Sequence, residues 1–183
     1  MAAPPAREAL ALLRRGEQRP QAAETVRGHH AGAGKLARRF ANSLNAHGIQ
    51  PDLAFIDKRR PKGTHNVAVA TEVVGEIEGR TCIIVDDMID TAGTVVSAAN
   101  LLIDRGASDV FIAATHGLLS GPAVDRLKNG PIREVIVTNT VPIPDDKRFD
   151  SLKVLSIAPL VAEAIDAVFE DGSVSELFDG DNM

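Results

Sequence analysis

The chain reads as an α/β domain built on a parallel sheet flanked by helices. Three observations predict this. The strand candidates, CIIV at 82–85, VFIAA at 110–114 and VIV at 135–137, are continuous apolar runs rather than alternating ones, as strands buried on both faces are. Segments of helical periodicity separate them, and Gly48 and Gly106 end two of those segments. The strand at 81–87 also runs directly into acids, and sheets of this class bind ligands at the carboxyl ends of their strands.

The elements follow in order. Residues 1–40 carry eight Lys/Arg and three acids, and the remaining 143 carry twelve and twenty-two, so a basic start precedes an acidic body. Residues 6–15 (AREALALLRR) set Ala6, Leu10 and Leu13 at helical spacing, but from Gly16 to Gly34 nothing is periodic. Residues 1–34 therefore read as a basic, Ala/Arg-rich, largely irregular segment, a solvated tail. The ordered domain is expected over 35–178. Residues 35–47 place Leu36, Phe40 and Leu44 on one face of a helix that stops at Gly48. LAFID at 53–57 is a short strand, followed by the basic loop KRRPKGTHN. Residues 67–77 alternate loosely, with Gly75 near the end, as a hairpin or small flap does. TCIIVDD at 81–87 is a buried strand, and 94–105 is a helix ended by Gly106. DVFIAATH at 109–116, a helix at 121–129, EVIVT at 134–138 and KVLSI at 153–157 come next. Pro159 opens a helix through Phe169, and 179–183 is a tail.

Composition removes several function classes. With 183 residues, a net charge of −5 and 44% hydrophobic residues, one ordinary soluble domain is expected. The single Cys82 excludes a disulfide framework and a cysteine-based zinc site. Neither Trp nor Tyr is present, so stacking on single-stranded nucleic acid has no platform, and no nucleic-acid partner is expected. No apolar run approaches the roughly 20 residues that span a bilayer. The start, MAAPPAREALALLRR, lacks the cationic-then-apolar order of a secretory signal, and Glu8, Glu17 and Glu24 argue against a transit peptide. The expected compartment is the cytoplasm.

The segment CIIVDDMIDTAGT at 82–94 carries the chemistry. A buried strand delivers Asp86 and Asp87 to its carboxyl end, and Thr91, Ala92, Gly93 and Thr94 follow where a helix begins. Small residues let backbone N–H groups approach an anion, the helix N-terminus adds partial positive charge, and two hydroxyls add donors. That combination suits a phosphate monoester. The acids repel a phosphate, so their place is one step away, on ribose hydroxyls or a bound cation. Acids for a sugar beside a dipole for a phosphate suit a pentose phosphate. The alternative is a strand end with solvated acids and a threonine N-cap.

This segment resembles the phosphoribosyl-binding loop of the type I phosphoribosyltransferase fold. With AFIDKRRPKGTHN at 54–66, AATHGLLSGPAVDRL at 113–127, LSIAPLVAEAI at 155–165 and SVSELF at 173–178, the chain resembles the second half of the ribose-phosphate pyrophosphokinase family over about Lys35 to Phe178. That family transfers pyrophosphate from ATP to the 1-hydroxyl of ribose 5-phosphate, giving phosphoribosyl pyrophosphate and AMP. The resemblance implies a phosphoribosyltransferase-like fold, with Asp86, Asp87, Asp90, Thr91, Ala92, Gly93 and Thr94 holding ribose 5-phosphate. It makes Lys58 and Arg60 catalytic loop cations, ATP the co-substrate and Mg²⁺ the cofactor. Its metal ligands stay open, Asp86 and Asp87 being candidates through the ribose. Ser173 and Ser175 match a segment that contributes to an allosteric phosphate site. The physics of the loop agrees: pyrophosphoryl transfer spreads negative charge, and Lys58, Arg59, Arg60 and Lys62 supply cations beside Pro61 and Gly63, which suit a closing loop.

Other candidates are weaker. His116 ends a strand at the ligand edge and either touches a nucleotide or shapes the loop. His29 and His30 read as solvated, and His47 as a partner of its helix end. GHHAGAGK at 28–35 is a poor phosphate loop, with five residues between its outer glycines and Leu36 in place of Ser/Thr.

Departures from the family pattern leave two readings. Family members have two similar domains with the active site between them, and this chain matches only the second. Before the helix at 35 the family has a strand and a Pro-Asp-Gly loop whose Asp helps bind Mg²⁺. Here AAETVRGHHAGAGK shows neither a strand pattern nor an acid after Glu24, so a sheet short of one strand, with an exposed edge or groove, is expected. The chain is then a pyrophosphokinase completed by a homo-oligomer or by a chain carrying the missing half. Alternatively it is a non-catalytic phosphoribosyl-binding or regulatory subunit, or a truncated gene product. A phosphoribosyltransferase that consumes phosphoribosyl pyrophosphate is disfavoured by the KRRP loop and by the absence of a base-recognition segment.

Overall fold

Apolar runs bounded by turn residues pair into one seven-stranded sheet in the computed structural model. Residues 23–27, 31–46, 48–59 and 69–175 are described, with backbone alone for 23–27, 31–35, 57–59 and 69–72. The candidate helix at 6–15, His29, His30, His47, Arg60 to Gly63 and the 179–183 tail lie outside the described residues. In chain order the elements are β1 (Ala23–Arg27), α1 (Ala31–Ala46), β2 (Leu53–Arg59), β3 (Val69–Val74), β4 (Thr81–Ile89), α2 (Gly93–Asp104), β5 (Asp109–Gly117), α3 (Ala123–Asn129), β6 (Glu134–Thr138), a 3₁₀ turn (Asp145–Lys147), β7 (Leu152–Leu155) and α4 (Ala158–Phe169). The strand order is β3-β2-β1-β4-β5-β6-β7. Every pairing is parallel except that of β3 with β2, so the expected flap is an antiparallel edge strand of the main sheet.

Successive residues of a strand point to opposite faces, and both faces are covered. On one side Cys82 and Ile84 of β4, Val110 and Ile112 of β5 and Val135 and Val137 of β6 meet Val95, Ala99 and Leu102 of α2 and Leu127 of α3. On the other, Ile83 and Val85 pack with Phe111 and with Leu44 of α1, flanked by Leu36 and Phe40. Leu36, Phe40 and Leu44 are the face that helical spacing predicts. Leu102 is fully buried, so Leu102→Ala is expected to cost about 2–5 kcal/mol, read as a fall in the thermal midpoint.

Two expectations are corrected. The sheet does not lack a strand: β1 lies between β2 and β4, with Thr25 opposite both Leu53 and Ile83. AETVR is too short and too mixed to announce itself, but a central strand takes its identity from ladders on both sides more than from its own propensity. The helix after it begins at Ala31 rather than Lys35. Gly32 and Gly34, each costing about 1 kcal/mol against Ala, read as breakers, and tertiary context overrides them. The second correction concerns the basic loop. β2 runs on through Arg59 because β3 continues the ladder, with Lys58 opposite Ala70 and Arg59 opposite Val69.

α4 begins where Pro159 places it. It buries none of its residues, and Val161, Ile165, Val168 and Phe169 are exposed, Phe169 at 85%. No helix among the described residues is long and apolar enough to cross a membrane.

Candidate functional site

The chain leaves β1 towards β2 on one side and later returns to β4 on the other, so the order reverses between β1 and β4. Open α/β sheets bind ligands in the crevice at the carboxyl ends of such strands. β4 therefore delivers Asp86 and Asp87 to the crevice. Asp86 is half-buried, and its Oδ1 accepts a hydrogen bond from the Asp87 N–H at 2.9 Å. Asp87, Asp90, Thr91 and Thr94 are exposed.

The turn into α2 is unusual. Ala92 occupies the N-cap in the left-handed region, at φ 58° and ψ 2°, and no side chain caps the helix. An N-cap residue ordinarily has extended backbone and a hydroxyl or carboxylate that satisfies the first N–H groups. The threonine N-cap alternative is thus absent, and the first-turn donors have no side-chain acceptor. Ala92 is itself buried against the core, which places the bend over a rigid floor.

The β5–α3 loop supports this turn from beside it. Leu118 and Leu119 N–H groups donate to the Ile89 carbonyl, at 3.0 and 3.1 Å, and Ser120 N–H donates to the Asp90 carbonyl at 2.9 Å. Arg126 of α3 reaches over from 35 residues away and donates to the Thr91 carbonyl at 2.9 Å. Sequence inspection passed over Arg126, whose contact is too distant in the chain to leave a periodic signal. Leu119, at φ 50°, is a second non-glycine residue in the left-handed region. His116 shares a 2.8 Å hydrogen bond with the Thr140 hydroxyl. Buried Thr138 donates to the Thr115 carbonyl at 2.7 Å in the same network.

Lys58 lies at the carboxyl end of β2, on the same edge as Asp86 and two strands across, about 10 Å at ordinary strand spacing. Ser173 and Ser175 are exposed residues beyond α4, which follows the edge strand β7. Among the described residues no three His, Cys, Asp or Glu side chains converge as a metal site. Mg²⁺ ordinarily takes one or two carboxylates and completes its shell with phosphate oxygens and water, which the exposed acids here suit. A groove of about 630 Å³, lined by Gly75, Glu76, Glu78, Arg80 and Arg105, opens at the amino end of β4. It lies at the opposite end from the acids, and its Arg80 is tied to Asp52 at 2.6 Å.

The family model described as "Phosphoribosyl synthetase-associated domain" matches residues 7–179. Ribose-phosphate pyrophosphokinase from Bifidobacterium longum is 56% identical over 149 residues, which are 81% of this chain and 43% of that protein. The chain belongs to the ribose-phosphate pyrophosphokinase family. The Mycobacterium leprae member is 55% identical over 151 residues, 82% of this chain and 45% of its own length. The chain therefore spans less than half the length of these curated relatives. The solved phosphoribosylpyrophosphate synthetase of Mycobacterium smegmatis superposes with a TM-score of 0.70 at 47% identity, over 90% of this chain and 51% of that one. A hypoxanthine phosphoribosyltransferase from Trypanosoma cruzi, at 14% identity and a TM-score of 0.50, covering 84% of this chain and 70% of its own, shares the fold alone. The family and the phosphoribosyltransferase-like architecture are as the motifs imply.

Proposed function

We propose that this chain binds ribose 5-phosphate at the β4–α2 turn and supplies part of a site that transfers pyrophosphate from ATP to the sugar's 1-hydroxyl, giving phosphoribosyl pyrophosphate and AMP. The observation that carries this is the uncapped N-terminus of α2 behind the left-handed Ala92, set directly after Asp86 and Asp87. The N–H groups and hydroxyls of Thr91 to Thr94 take the 5-phosphate, with Gly93 admitting it close to backbone. Asp86, Asp87 and Asp90 accept from ribose hydroxyls, which orients the 1-hydroxyl. Lys58 and Arg60, the loop cations, neutralise charge that builds on the triphosphate during transfer. Asp86 and Asp87 are the residues that would hold Mg²⁺, which would supply charge neutralisation for the polyphosphate. The segment GHHAGAGK at 28–35 carries no acid that could join them.

The reading includes association, either with further copies of the chain or with a chain carrying the half that the relatives have and this alignment does not span. The exposed apolar side chains of α4 support it, since such faces on soluble domains mark contact surfaces. Ser173 and Ser175 are proposed, on resemblance alone, as members of a regulatory phosphate site.

Two measurements test the reading. Calorimetry should detect ribose 5-phosphate binding to the chain, weakened about tenfold or more in Asp90→Ala through loss of a charged acceptor. If the sugar phosphate does not bind the unaltered chain, the proposed site is wrong. Incubation with ATP, ribose 5-phosphate and Mg²⁺, with the first half of a relative added as a separate chain and followed for AMP, then separates an enzyme from a binding subunit. Binding without AMP favours the regulatory alternative, which the chain's coverage of only 43% of a relative keeps open.

A further inference from the structure

We infer that Arg126 is a positioning residue for the sugar-phosphate turn, an inference that rests on the reading of that turn as a ribose 5-phosphate site. The carbonyls of four consecutive residues across the turn are all engaged. Ile89 O accepts from Leu118 and Leu119, Asp90 O from Ser120, Thr91 O from Arg126, and Ala92 O from Val96. Every peptide here is trans. In a planar trans peptide the N–H points opposite to the C=O. Anchoring the carbonyls of residues 89–91 to the β5–α3 side therefore turns the N–H groups of Asp90, Thr91 and Ala92 to the opposite side, where the anion is proposed to sit.

Three of these anchors are backbone groups, which any sequence could supply once the loop is placed. The Thr91 anchor is a side chain, and it holds the peptide that leads into Ala92. A non-glycine residue in the left-handed region is costly and persists only where its surroundings over-determine it. Arg126 supplies that determination at the one peptide the β5–α3 backbone does not reach. Its guanidinium also stands close to the first residue of α2: a Cβ on Gly93 would lie 3.2 Å from Nη1 and 3.9 Å from Cζ. The bare glycine thus lets the arginine pass to the Thr91 carbonyl. Arg126 acts through the backbone and is not itself assigned a contact with the substrate.

The test compares Arg126→Met, which keeps the apolar stem and deletes the donors, with Arg126→Lys, which keeps a donor and the charge, in the full chain. The expected result for Arg126→Met is ribose 5-phosphate binding about tenfold weaker than in the unaltered chain, still weaker at about 0.5 M salt, with faster amide exchange at 91–94. Arg126→Lys should bind within about threefold of the unaltered chain. Unchanged binding by Arg126→Met overturns the inference. So does a loss that salt erases, since the arginine would then act only as a distant charge. Failure of the unaltered chain to bind would sink the ribose 5-phosphate reading instead. Amide exchange then decides the positioning role alone: unchanged exchange at 91–94 overturns it, and faster exchange upholds it.

Discussion

Alanine at Lys58 and Arg60 together is expected to lower AMP formation by about 100-fold or more while ribose 5-phosphate binding stays within about threefold. Pyrophosphoryl transfer asks little covalent chemistry of the protein. Its barrier falls mainly through positioning and through charge placed where the transition state develops it. Lys58 lies at the carboxyl end of β2, on the edge where β4 delivers its acids. On the proposed reading, a cation entering from there meets the polyphosphate and not the 5-phosphate, which is assigned to the α2 end. The prediction is therefore a split: the rate falls and sugar-phosphate affinity does not. It is measured as AMP release, with the first half of a relative added as a separate chain if this chain alone is silent. Equal losses in rate and affinity would place Lys58 and Arg60 in the sugar-phosphate site and contradict the roles proposed here.

The second large effect is expected at Gly93. Gly93→Val should weaken ribose 5-phosphate binding by about 100-fold while the fold survives. Valine brings a Cβ to 3.2 Å from Arg126 Nη1 and sets two methyls at the mouth of the turn. The guanidinium must give by a few tenths of an ångström, which loosens its hold on the Thr91 carbonyl, and the methyls stand where a phosphate would approach the N–H groups. Gly93 is not at positive φ, so no backbone strain is added. A thermal midpoint close to the unaltered chain, together with lost binding, would locate the effect in the turn. Retained binding would mean that the phosphate does not sit against Gly93.

Much of this was legible in the residues. CIIVDDMIDTAGT shows a buried strand, its acids and a small-residue turn in consecutive positions, because strand, turn and helix start are adjacent in the chain. Leu36, Phe40 and Leu44 marked the buried face of α1, and Pro159 the start of α4, since both signals lie within a few turns of helix. The failures have one common cause. β1 escaped because AETVR has little strand character of its own and is held by β2 and β4. The last two residues of β2 escaped because β3, ten residues on, pairs with them. Arg126 escaped because its partner is 35 residues away.

By itself, then, the sequence determined the α/β class and the family, and it nominated the residues proposed to hold a sugar phosphate. These rest on local chemistry: apolar runs, capping, small residues and the spacing of charges. Tertiary structure alone decided where the sheet reverses, since that depends on β1 standing between β2 and β4. It also decided that α2 begins uncapped, behind an alanine in the left-handed region. Both follow from hydrogen bonds between segments far apart in the chain. A residue's own preference of about 1 kcal/mol is outweighed by several such bonds formed together.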